Sequence, residues 1–108
     1  MSEGTPSSIK VAAVQMDVAL MDLEANLRAM EAHMATTAGE GTALTVFPEC
    51  AFTGYCFDSR EEALPYAESI PGPSTQRMAE HCARFDMFVV YGLLEQEGDD
   101  LYNACVLV

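Results

Sequence analysis

The sequence predicts an α/β fold, and three observations carry that expectation. Ile9 to Met16 is apolar on both alternating faces apart from Lys10 and Gln15, the pattern of a strand covered on both sides. A segment of helical period and a second apolar run, Ala43-Leu44-Thr45-Val46-Phe47, follow it, and strand-helix-strand in about forty residues is the size of a βαβ unit with parallel strands. Two further strand-like runs, Met87 to Leu93 and Leu101 to Val108, flank the acidic, glycine-containing stretch 95–100, which is a hairpin signal.

Taken in order, the 9–16 strand is expected to be central, because neither of its faces is polar enough for solvent. Asp22 can cap a helix in which Leu23, Leu27, Met30 and Met34 fall at i, i+4, i+7 and i+11, one continuous stripe, with Gly39 as its stop. Glu24 and Arg28 add an exposed i,i+4 pair worth only about 0.2–0.5 kcal/mol. Pro48 cannot donate a ladder hydrogen bond, so the strand 43–47 ends there. A loop rich in aromatics, 48–58, leads to a short helix for which Asp58 and Glu61 have capping-box spacing and which Pro65 limits. Ile70-Pro71-Gly72-Pro73 is a rigid turn, after which Ser74 can cap a helix carrying Met78, Cys82 and Phe85 on one face.

Composition narrows the function classes. A chain of 108 residues, half of them hydrophobic, suits one small globular domain. Five basic residues against seventeen acidic ones give a formal charge of −12, which repels phosphate backbones and anionic lipid, so neither nucleic acid nor membrane is an expected partner. The polar start lacks the charged and apolar regions of an export signal, and no segment has the length and hydrophobicity of a membrane span. Cys50, Cys56, Cys82 and Cys105 are therefore read as reduced thiols in a cytoplasmic protein, and with no C-x-x-C pair a structural zinc site is not expected. Val106-Leu107-Val108 end the chain inside a strand, with no cap, turn or polar tail, so the sequence reads as cut.

The candidate catalytic group is Glu49. It stands in Phe47-Pro48-Glu49-Cys50-Ala51-Phe52-Thr53-Gly54-Tyr55, at the carboxyl end of a buried strand, where open α/β sheets place their ligands. Beside the apolar loop residues Phe52, Tyr55 and Phe57 a carboxylate there suits a general base; the bland reading is a solvated group at a strand end. Tyr55 is equally a pocket wall or an aromatic packing the loop, whereas Phe52 and Phe57 are assigned to packing. His33 and His81 are read as solvated or half-buried, and Asn103 as holding backbone groups. On extended backbone the Cys50 side chain should point away from that of Glu49.

Several segments together resemble the N-terminal part of the carbon-nitrogen hydrolase, or nitrilase, superfamily. Val11-Ala12-Ala13-Val14-Gln15 is similar to its first strand, and Phe47-Pro48-Glu49 with Thr53-Gly54-Tyr55 to its catalytic-glutamate segment. Ile70-Pro71-Gly72-Pro73-Ser74-Thr75 is similar to the turn into its next helix, and Val89-Val90-Tyr91-Gly92 with Leu101-Tyr102-Asn103-Ala104 to the following hairpin. The resemblance runs from about Lys10 to Val108 and implies the N-terminal part of a four-layer α-β-β-α sandwich, apparently truncated, with 1–8 a flexible N-terminus and 9–108 a partial hydrolase domain.

The family uses a Glu-Lys-Cys triad, and only the glutamate transfers, to Glu49. The one lysine, Lys10, lies in the first strand, and none of the four cysteines matches the nucleophile motif. The resemblance implies a parent enzyme that hydrolyses non-peptide carbon–nitrogen bonds of a small-molecule amide, with nitrile or carbamoyl groups as alternatives, through a thioester. It implies an amidase-like branch from Thr53-Gly54-Tyr55, no metal or organic cofactor, and a homo-oligomer at full length; Tyr55, in its pocket-wall reading, is the candidate substrate-binding residue. The 108 residues alone are then expected to be inactive. The alternative is a non-catalytic fragment or interaction module of the same fold. An unrelated doubly wound nucleotide-binding domain ranks last, since no G-x-G-x-x-G or P-loop pattern occurs.

Overall fold

The computed structural model describes residues 7–108; most of the expected flexible N-terminus, 1–6, lies outside the described residues. Four strands form one sheet in the order β1-β2-β3-β4: β1 (Val11–Ala13), β2 (Leu44–Val46), β3 (Phe88–Glu97) and β4 (Asp100–Leu107). The first three are parallel and β4 returns antiparallel, so the βαβ unit and the hairpin both form. Among the described residues β1 pairs only with β2, which corrects the expectation of a central strand: it is an edge of this sheet.

The helix α1 (Leu23–Gly39) is capped by Asp22, whose side chain accepts from the Ala25 N–H, and it ends at Gly39, the expected stop. Leu27, Met30 and Met34 turn that stripe onto the sheet, where Val89, Tyr91 and Leu93 of β3 meet them with Phe47, Phe52 and Met78. Each fully buried side chain of this size contributes about 1.5–3 kcal/mol, so this single layer of contacts dominates the stability.

Two caps differ from their predicted residues. The four-residue helix α2 (Arg60–Ala63) is capped by Ser59, which accepts from the Glu62 N–H, one residue beyond the Asp58 and Glu61 frame; a 3₁₀ turn at Leu64–Tyr66 then accommodates Pro65. The helix α3 (Pro73–Phe85) has Gly72 as its N-cap, because Pro73 fits the first helical position, where its missing N–H costs nothing. Ser74 is consequently inside the helix, and its hydroxyl meets the Glu68 carboxylate and the Tyr91 hydroxyl. Burial pushes the Tyr91 phenol up to about 12. Across the helix layer, Arg77 of α3 forks onto Glu31 of α1 at 2.6 and 2.8 Å and reaches Glu24 at 2.9 Å; His81 meets Glu31 at 2.6 Å.

The hairpin is tighter than its sequence suggests. Both strands run on to Glu97 and Asp100, leaving a two-residue turn, Gly98-Asp99, with φ of +58° at Gly98, as a type II′ turn requires. The ten-residue β3 thus outruns β2 by most of its length. Its uncovered edge is met by the loop after β2, through Phe52 N–H to the Gly92 carbonyl, and by Glu68, which pairs with Leu94 and Gln96.

The helices cover one face of the sheet. On the other, Ile9, Val11, Phe88 and Leu107 stand 52–66% exposed, so the strand pattern that predicts two covered faces finds one of them bare. One helix layer and one sheet, two of the four expected layers, are present. Hydrogen bonds between Val89 and Val108 carry the β3–β4 pairing through the last residue. No helix among the described residues is long and apolar enough to cross a membrane.

Candidate active site

Glu49 owes its position to the way β2 stops. Phe47 still donates to the Val90 carbonyl, Pro48 has no N–H to give, and the chain turns sharply, with Ala51 N–H returning to the Pro48 carbonyl. Cys50 adopts φ of +48°, and the Thr53 and Gly54 amides both close onto its carbonyl. Phe52 is driven into the main core at 3% exposure, as its packing assignment requires, while Phe57 packs against a smaller cluster around Cys50, Ala63 and Leu94.

Two residues seat this turn on the scaffold. A Cβ on Gly92 would lie 2.3 Å from the Cys50 nitrogen and 2.9 Å from the Glu49 Cα, so only glycine lets β3 approach so closely. From the helix side, the buried Asn26 donates to the Ala19 and Phe52 carbonyls at 2.7 and 3.0 Å and accepts from the Ala19 N–H at 2.8 Å. It ties the loop before α1 to the loop after β2. Sequence reasoning missed both residues; a polar side chain one place from Leu27 of the apolar stripe was the available signal for Asn26.

The Glu49 carboxylate is exposed and, among the described residues, accepts one hydrogen bond, from Asn103 Nδ2 to its Oε2 at 2.7 Å. The Asn103 Oδ1 in turn accepts from the Cys50 thiol at 3.5 Å. Asn103 therefore holds a side chain rather than the backbone groups assigned to it. The left-handed turn at Cys50 also overturns the expectation that neighbouring Glu49 and Cys50 diverge: both side chains meet the same amide. Burial pushes the Cys50 thiol above its usual range, and the Glu49 charge adds to this against a hydrogen bond with Thr53, so it is a hydrogen-bond donor rather than a thiolate.

Glu49 borders an open cleft of about 390 Å³ together with Pro48, Val90, Gly92, Asn103 and Cys105. Cys105 pairs with Gly92 across the hairpin and leaves its thiol exposed in that cleft, with no hydrogen bond to Glu49 among the described residues. Tyr55 is 64% exposed and is not among the residues lining the cleft. Lys10 lies at the opposite end of β1 and β2, where its ammonium donates to the Glu40 carbonyl at 2.7 Å; it precedes β1 rather than sitting within it, and it cannot serve Glu49. His81 is half-buried against Glu31, as its sequence reading expects of its burial. The arrangement thus presents one carboxylate, oriented by an amide, at the mouth of a cleft with no cation beside it among the described residues.

Comparison with known proteins locates the same segment. The family model described as Carbon-nitrogen hydrolase matches residues 10–108. A nitrilase of Pyrococcus abyssi is 35% identical over 101 residues, covering 93% of this chain and 38% of that protein. The omega-amidase NIT2 of Danio rerio is 34% identical, covering 92% and 35%. Among solved structures, an N-terminal amidase superposes with a TM-score of 0.79 at 23% identity over 93% of this chain and 25% of its own, which speaks for the fold alone. Saccharomyces cerevisiae Nit3, a member of branch 10 of the nitrilase superfamily, superposes with a TM-score of 0.77 at 28% identity over 92% and 39%. The chain spans less than two fifths of the length of these relatives. With nearly every described residue matched in sequence and in fold, the chain belongs to the carbon-nitrogen hydrolase, or nitrilase, superfamily.

Proposed function

We propose that the protein carrying this segment is an amide hydrolase in which Glu49 is the general base of a Glu-Lys-Cys thiol mechanism. The observation that carries the reading is the Glu49 carboxylate itself, fixed at the carboxyl end of β2 beside a cleft, in a chain of this family. The lysine and the nucleophilic cysteine are not in this chain.

The chemistry explains why a carboxylate belongs there. A thiol of ordinary pKa is only slightly ionised at neutral pH, so a base beside it raises its nucleophilicity. Glu49 takes the thiol proton, sulfur attacks the amide carbon, and the lysine stabilises the oxyanion. The carbon–nitrogen bond then breaks as Glu49 returns the proton to the leaving ammonia or amine. Water, deprotonated by Glu49, attacks the resulting thioester, releasing the carboxylic acid and restoring the thiol. In this reading the exposed ring of Tyr55, on the same loop but outside the cleft that Glu49 borders here, contributes a wall once the rest of the full-length protein extends the pocket toward it. The amidase assignment over a nitrile substrate rests on the Thr53-Gly54-Tyr55 form of the loop.

The test is Glu49→Gln in the full-length protein, measured as ammonia release from simple amides. Turnover should fall by about a hundredfold or more with the fold intact, the scale of a lost general base. Near-normal activity refutes the role. The 108-residue chain alone should release no ammonia. Turnover there that Glu49→Gln abolishes would place the nucleophile within this chain, and Cys105 is the thiol that shares the cleft.

A further inference from the structure

We infer that Asn103 is a positioning residue for Glu49, and that Cys50 sets the orientation of the Asn103 amide. The inference rests on Glu49 being the base. A carboxylate on an exposed turn has two equivalent oxygens and a freely rotating end, and neither suits a base that must meet one thiol in one geometry. Here Oε2 is held at 2.7 Å by Asn103 Nδ2, while Oε1 accepts no hydrogen bond among the described residues. The oxygen left to take a proton is therefore the one that Asn103 does not hold.

The donor is on a rigid element. Asn103 pairs with Leu94 in the β3–β4 ladder, and strands hold functional groups more sharply than loops do. An amide could equally present its oxygen to the carboxylate, which would repel it. The Cys50 thiol prevents this by donating to Oδ1 at 3.5 Å, which turns Nδ2 toward Glu49. The raised thiol pKa keeps that donor protonated at neutral pH. Gly92 allows the two backbones to come close enough for the relay, Cys50 thiol to Asn103 amide to Glu49 carboxylate, to close.

The experiment is steady-state amide hydrolysis by the full-length protein, with Glu49→Gln as reference and thermal melting of every variant. Asn103→Leu should lower kcat by about tenfold to a hundredfold, the worth of one hydrogen bond to a charged group, with KM within about twofold and the melting midpoint retained. Added to Glu49→Gln, it should cost nothing more, since it acts only through that carboxylate. Cys50→Ala should lower kcat by about threefold to tenfold, the worth of a neutral hydrogen bond, and Cys50→Ser, which keeps a donor, should recover most of that loss. If Glu49→Gln abolishes turnover while Asn103→Leu keeps kcat within twofold, the positioning role is wrong and the base stands. A parallel fall of kcat, KM and melting midpoint would make Asn103 structural and overturn the inference. Wild-type turnover in Glu49→Gln would remove the base itself.

Discussion

Gly92→Ala tests how the Glu49 turn is seated. The new Cβ would sit 2.3 Å from the Cys50 nitrogen, where ordinary contact begins near 3.4 Å, so β3 and the turn must part by about 1.1 Å. Both neighbours at 2.9 Å are also backbone atoms of Glu49, so no side-chain rotation can relieve the clash. The Phe52 N–H to Gly92 carbonyl bond, at 3.2 Å, is the first to open. Overpacking of this kind costs about 1–3 kcal/mol, which in a full-length domain of more than about 150 residues lowers the melting midpoint by roughly 2–4 °C per kcal/mol. The same displacement carries Glu49 with it, and a misplacement near 1 Å costs about a hundredfold in rate. Circular dichroism melting and ammonia release by the full-length protein read the two effects separately. Gly39→Ala is the control: nothing lies within 4 Å of its Cβ, so it should be neutral or stabilising by up to about 1 kcal/mol. A Gly92→Ala protein with wild-type melting and wild-type turnover would refute the close-approach argument.

Three further outcomes are expected. Asn26→Leu leaves the buried Phe52 carbonyl without its donor and should cost about 1–3 kcal/mol, read by denaturant unfolding; an unchanged midpoint would mean that water replaces the amide. The Arg77 hydrogen bond holds the Glu31 carboxyl below its usual value of 4.5, so its ion pair adds stability in full above that pH and loses it as pH falls through the depressed folded value. Glu31→Gln should therefore lower stability at pH 7 and converge on wild type in acid, and a gap independent of pH would dismiss the ion pair. Phe88 is 62% exposed among other bare apolar side chains, so the isolated chain should self-associate with concentration and Phe88→Glu should weaken that association in sedimentation; a monomeric wild type would remove the prediction.

Much of the fold was legible because it depends on local periodicity. The Leu27, Met30 and Met34 stripe, the proline that stops β2 and the two strand runs of the hairpin each encode an element through neighbouring residues. The errors were of two kinds. Ser59 and Gly72, rather than Asp58 and Ser74, cap their helices, because adjacent residues compete for a cap and the surrounding chain decides between them. β1 reads as central from its hydrophobicity, yet strand order depends on what lies beside it, which no strand states about itself.

At the site, local pattern alone places a carboxylate at the end of a buried strand, in a segment resembling a known catalytic glutamate. What holds that carboxylate depends on how distant segments pack. Asn103 lies 54 positions from Glu49, and Gly92 and Asn26 touch its loop from a strand and a helix that the sequence separates widely. A hydrogen bond to the side-chain oxygen of one residue leaves no periodic trace, whereas a buried strand repeats its requirement at every second position.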